Sequence, residues 1–88
     1  EFDLTALAEE VVERYRPQLD AARCNVEWGR KAKVSGEWDP FRIEQVFANL
    51  IMNAIRYGPG RPIRIEVWRE GSEAYLSVSD QGIGIAPA

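Results

Sequence analysis

The 88-residue chain contains no histidine and a single cysteine. Without histidine, no imidazole is available within these residues to act as general acid or base, to bind a metal or to accept a phosphoryl group. The lone Cys24 excludes an internal disulfide and fits a reducing compartment. Positive charge is not in excess either. The formal net charge is −3 and Lys and Arg are dispersed, so there is no basic stripe to follow a nucleic-acid backbone. No apolar run approaches the roughly 18 residues of a membrane span, and the N-terminus lacks the layout of a signal peptide. The segment therefore reads as cytoplasmic, with neither nucleic acid nor membrane as a direct partner.

What remains is the composition of a small globular unit, 45% hydrophobic and 28% charged, with chain enough for a modest core. Leu4, Leu7, Ala8, Val11, Tyr15, Leu19 and Ala22 recur as a helical stripe, with Asp3 or Thr5 as its cap and a kink at Pro17. "NVEW" (25–28) and "KVSGEW" (33–38) read as short strands around the polar turn "GRKA". Asp39 and Pro40 form a cap followed by a first-position proline, so a second helix starts there and stops at the cluster "YGPGRP". In "PIRIEVWREGSEAYLSVSD", Ile63, Ile65 and Val67 alternate on one side, with Leu76 and Val78 matching them across the turn "EGSE". That pattern predicts a hairpin whose apolar face needs a helix to cover it. Helices alternating with hairpins predict an α+β two-layer sandwich.

The second helix, "RIEQVFANLIMNAIRYG" (42–58), raises a question of its own, because Asn is a poor residue for a helix interior. Ile43, Val46, Phe47, Leu50, Ile51, Ala54 and Tyr57 share one broad arc, while Gln45, Asn49, Asn53 and Arg56 fall in a row along its edge. Side chains on such a row can converge on one ligand, or the amides can satisfy each other and nearby backbone. Downstream, "SDQGIGIAP" puts Asp80 at a strand end, followed by two glycines spaced by one residue. A carboxylate there accepts hydrogen bonds only, which suits an exocyclic amine; alone, the stretch is equally a plain turn.

Together these segments closely resemble the ATP-binding domain of bacterial sensor histidine kinases, in the superfamily shared with gyrase, mismatch-repair and heat-shock chaperone ATPases. "FDLTALAEEVVE" is similar to the opening strand and helix of that family, the Asn-bearing helix to its N box, and "DQGIGIAP" to its first glycine box. The resemblance implies a Bergerat-type ATP-binding fold, incomplete at the C-terminus of residues 1–88, where the lid, second glycine box and later strands are lacking. It implies ATP and Mg²⁺ as ligands. Asn53 would give an amide oxygen to Mg²⁺, Asn49 would meet the phosphates or the metal's water shell, Arg56 would sit near the phosphates and Tyr57 would line the nucleotide. Asp80 would bind the adenine amine, with Gly82, Gly84 and Ile85 at the base pocket.

The activity implied is delivery of the ATP γ-phosphoryl group to a histidine on a separate dimerisation domain, with a response regulator as the further partner. The 88 residues alone would be inactive and would self-associate through unpaired strand edges. ATP-hydrolysing relatives place a glutamate one helical turn before the metal-binding asparagine, where this chain has Asn49, and an amide cannot serve as general base. Glu44 falls away from the polar row and reads as a solvated charge. Glu9, Glu10 and Glu13 read as a solvated helix face, and Trp28, Trp38 and Trp68 as strand packing. A non-catalytic nucleotide-binding module, or a protein-interaction fragment of the same fold, are the alternatives.

Overall fold

The computed structural model describes residues 2–79 and the backbone of residues 81–85. Strand β1 (Phe2–Asp3) runs directly into helix α1 (Leu4–Arg14). Asp3 makes that junction, because its Oδ1 accepts from the backbone N–H of Thr5, capping the helix, and from that of Val34, each at 3.1 Å. The Thr5 hydroxyl, buried, donates to the Ala32 carbonyl. Leu4, Leu7, Ala8, Val11 and Val12 form the buried face of α1.

The expected long helix is divided rather than kinked. Its first part ends at Arg14, Tyr15 leaves helical geometry, and α2 (Arg16–Ala21) starts afresh with Pro17 in its first turn. A proline there sacrifices no internal hydrogen bond, whereas in a continuous helix it would clash with the carbonyl four residues back.

The expected hairpin between residues 25–28 and 33–38 does not form. Strand β2 (Val26–Lys31) continues through most of "GRKA" and pairs parallel with β4 (Ile63–Glu70), Val26 opposite Ile63 and Trp28 opposite Ile65. Strand β3 (Ser35–Gly36) instead pairs antiparallel with β1. The only glycine of "GRKA" is used for space rather than for turning: a Cβ on Gly29 would lie 2.5 Å from the Glu66 carboxylate.

Helix α3 (Pro40–Tyr57) begins where expected. The Asp39 side chain accepts from the Phe41 N–H at 3.1 Å, Pro40 opens the first turn, and Gly58 ends the helix. The hairpin also holds: β4 and β5 (Glu73–Val78) pair antiparallel with Ile65 opposite Val78 and Val67 opposite Leu76, and Gly71 takes φ 58° in the two-residue turn. Strand β6 (Gln81–Ile85) adds to β5, giving a four-stranded sheet in the order β2-β4-β5-β6. One face of that sheet is closed by α1 and α3. Phe47 and Ile51 are fully buried there against Ile65, Val67, Leu76 and Val78, all within one core cluster. The chain is thus an α+β two-layer sandwich, and the same packing presses the C-terminal half of α3 onto the end of the sheet where β4 begins and β5 stops.

Candidate functional site

A cavity of about 330 Å³ opens at that end, within the size range of small-molecule sites. Its floor is apolar, made by Ala54 from α3, Ile63 from β4 and Val78 from β5, the last two almost wholly buried. Its rim is polar: Asn53 and Tyr57 come from the last turns of α3, Arg61 from the loop to β4, and Ser79 from the end of β5. Ser79 has φ 57°, the left-handed region that non-glycine residues rarely adopt, and its N–H donates to the Arg64 carbonyl at 2.6 Å. That conformation turns the chain sharply at the rim, directly before Asp80.

The asparagine row opens to solvent rather than pairing with the protein. The side chains of Asn49, Asn53 and Arg56 make no hydrogen bond or ion pair with any described residue, so the amides satisfy neither each other nor the backbone. Asn49 and Arg56 are exposed, and Asn53 is half-buried in the cavity wall. Tyr57, on the apolar arc by periodicity, is not a core residue: it is 77% exposed and stands at the cavity mouth. It lies in the last turn of α3, beyond the sheet's cover. The cavity therefore brings Asn53 and Tyr57 together, while Asn49 and Arg56 border it on the same helix without lining it.

Asp80 lies outside the described residues, as does the side chain of Ile85. Gly82 and Gly84 stand in β6, opposite Ser77 and Tyr75. Arg61 and Ser79 were not singled out by the sequence, although Arg61 is the one charged residue inside "YGPGRP", a cluster otherwise read only as a helix stop.

Carboxylates are absent from the described lining of this cavity. Glu44 belongs elsewhere. It is 25% exposed, pairs with Arg14 of α1 at 3.5 Å, and borders a separate hollow with Phe2, Leu7 and Glu10. It is thus a tie between α1 and α3 rather than the freely solvated charge that its helical angle suggested. Glu9 and Glu13 are exposed and pair with Lys31 and Arg16 at 2.7 and 2.6 Å. Among the described residues no cluster of acidic, cysteine or histidine side chains could hold a metal ion by itself, and no helix is long and apolar enough to cross a membrane.

Comparison with known proteins adds an independent line. Residues 38–88 match the family described as Histidine kinase-, DNA gyrase B-, and HSP90-like ATPase. The sensor protein SrrB of Staphylococcus aureus is 38% identical over 85 residues, covering 96% of this chain and 15% of SrrB. Among solved structures, the histidine kinase AdeS of Acinetobacter baumannii gives a TM-score of 0.79 at 34% identity, over 97% of this chain and 43% of that one. Histidine kinase ThkA, solved in complex with the response regulator protein TrrA, gives 0.78 at 26% identity, over 88% of this chain and 24% of that one. The chain spans less than half of each of these relatives. With more than half of its residues matched by the family model and its two-layer fold shared with kinase structures, the chain belongs to the histidine kinase-, DNA gyrase B- and HSP90-like ATPase family, as part of a sensor histidine kinase ATP-binding domain.

Proposed function

We propose that these residues form the Mg-ATP-binding part of a sensor histidine kinase that delivers the γ-phosphoryl group to a histidine on a separate dimerisation domain. The observation that carries this reading is the Asn53 amide, unpartnered in the wall of a cavity with an apolar floor. An uncharged oxygen donor with no acidic cluster behind it fits Mg²⁺, which keeps several waters and takes its remaining ligands from a triphosphate. When bound, Mg²⁺ supplies charge neutralisation at the phosphate oxygens.

The protein's own contribution is then positional. Asn53 offers its amide oxygen at the metal, Asn49 one turn earlier reaches toward the phosphates or the metal's waters, and Arg56 offsets phosphate charge. Tyr57 and the Ala54, Ile63 and Val78 floor exclude water from the base end. Asp80, which follows Ser79 in the chain, accepts from the adenine amine, with Gly82 nearest the cavity end of β6 and Gly84 and Ile85 farther along it, opposite Tyr75 and Ala74. The lack of any carboxylate in the described lining, together with Glu44 being tied to Arg14, favours transfer to a protein acceptor over activation of water. ThkA's complex with a response regulator supports such a regulator as the onward partner here.

The test is a Mg²⁺ titration of ATP binding and autophosphorylation by the whole protein and its Asn53→Ala variant. Metal-dependent binding and transfer should be present in the first and lost in the second. Equal Mg²⁺ dependence in both would sink the assignment of the metal to Asn53.

A further inference from the structure

We propose that Arg61 is a binding residue for the nucleotide base, its guanidinium lying flat on the purine opposite Tyr57. The inference rests on the reading of this cavity as a nucleotide site and adds to it a residue outside both sequence boxes. Arg61 is the only charged residue among the described lining. Its guanidinium makes no ion pair and no hydrogen bond with any described residue, as is also true of Arg23, Lys33, Arg42 and Arg56, but of these Arg61 alone is in the described cavity lining.

The backbone around it is held in place at three points. Gly60, at φ 77°, donates to the Ala22 carbonyl at 2.8 Å, Arg61 donates to that of Gly58 at 3.1 Å, and Ile63 donates to that of Asn25 at 2.8 Å. The aliphatic stem lies over the end of α3, where a Cβ on Gly58 would sit 3.5 Å from the Arg61 Cδ. A fixed loop and a packed stem thus hold a free planar cation at the cavity mouth, beside a tyrosine that is itself 77% exposed.

Position selects the part of the ligand it meets. Asn49, Asn53 and Arg56 run back along α3 toward its N-terminus, whereas Arg61 lies past the helix's C-terminal end and lines the same cavity as the apolar floor. A ring system suits a cavity with an apolar floor and two planar side chains in its lining. Guanidinium groups stack on aromatic faces, and this does not require a phosphate partner.

The experiment compares adenosine, ADP and Mg-ATP binding to the whole protein and to its Arg61→Ala and Arg61→Lys variants by calorimetry, with thermal midpoints as a folding check. Arg61→Ala should weaken all three ligands by the same factor, about three- to thirtyfold. Arg61→Lys should recover little, because an ammonium keeps the charge but not the plane. Unchanged affinities would overturn the proposal. So would a loss that grows from adenosine to ATP and is restored by lysine, since that pattern belongs to a phosphate contact. If the wild-type protein bound neither adenosine nor ATP, the nucleotide reading itself would fall, an outcome distinct from a wild type that binds and an Arg61 variant that binds equally.

Discussion

Two polar surfaces of this molecule invite comparison: the flank of α3 and the outer face of the sheet. On the sheet, the groups meet one another. Glu66 accepts from both the backbone N–H and Nε of Arg30, at 3.0 and 3.1 Å; the Arg30 guanidinium sits 3.8 Å from the centre of the Trp68 ring; Trp68 stacks on Tyr75 and donates to Glu70. On the α3 flank, Asn49, Asn53 and Arg56 make no hydrogen bond or ion pair with any described residue. Asparagine costs a helix stability wherever it sits in the interior. On the outer sheet folding completes the network, so its residues are explained by structure alone; on α3 it leaves donors and acceptors open to solvent, where the proposed nucleotide and metal would meet them.

The sharpest way to break that contrast is Asn53→Ala. Phosphoryl transfer by the whole protein should fall on the order of 10²- to 10³-fold, the scale seen when one preorganised electrostatic group is removed from a reacting centre. Thermal stability should stay within about 0.5 kcal/mol of wild type, since no protein hydrogen bond or ion pair is lost. A large stability loss with retained transfer would mean the amide is structural after all. Asp80→Asn is the next largest. It replaces a pure acceptor by a group that can also donate, so ATP affinity should drop by roughly ten- to a hundredfold and preference over GTP should shrink. Competition binding with both nucleotides measures it, and unchanged selectivity would reduce Asp80 to a turn residue.

Trp68→Ala probes the other surface and should give the opposite pattern. The ring stacks on Tyr75 at 5.3 Å with 12° between planes and lies under Arg30. Removing it should cost about 1–2 kcal/mol in unfolding by denaturant, the sum of an aromatic pair and an exposed cation–π contact. ATP affinity should not change, because Trp68 points away from the face on which Ile63 and Val78 floor the cavity. A loss of ATP binding in a folded Trp68→Ala protein would show that the two surfaces are coupled.

The comparison also explains what was legible beforehand. Both ends of α3 could be read because Asp39-Pro40 and Tyr57-Gly58 are local signals, and the β4–β5 hairpin because its alternation and its turn lie within one short stretch. Pairing of β2 with β4 was not legible, since the partners stand more than thirty residues apart and nothing in "NVEW" distinguishes a parallel neighbour from a hairpin. Helical spacing placed Asn53 in a polar row, whereas it placed Tyr57 on the apolar arc, and only the family resemblance pointed Tyr57 toward a nucleotide. Arg61 and Ser79 reach the same cavity from a loop and a strand end, so only the packing of α3 on the sheet brings them in.

The smallest expected effect lies at Glu66, and it tests whether the sheet network is held by charge or by hydrogen-bond geometry. Its carboxylate is held below the usual carboxylate range, first by the Arg30 backbone N–H, then by the Arg30 side chain, with the Arg64 charge adding to both. A carboxylate whose pKa is lower in the folded state stabilises the protein at pH values above its unfolded pKa of about 4.3. That contribution is lost as pH falls through the lower, folded value. Glu66→Gln keeps an oxygen to accept from the Arg30 N–H but removes the charge. The thermal midpoints of wild type and variant should therefore differ slightly and by a constant amount from neutral pH to about pH 5, and converge below about pH 4.3. The gap should also narrow in high salt, because Arg30 and Arg64 are more than half exposed. A gap indifferent to both pH and salt would assign the role of Glu66 to the hydrogen bond alone, and the outer sheet would then owe its completeness to shape rather than to charge.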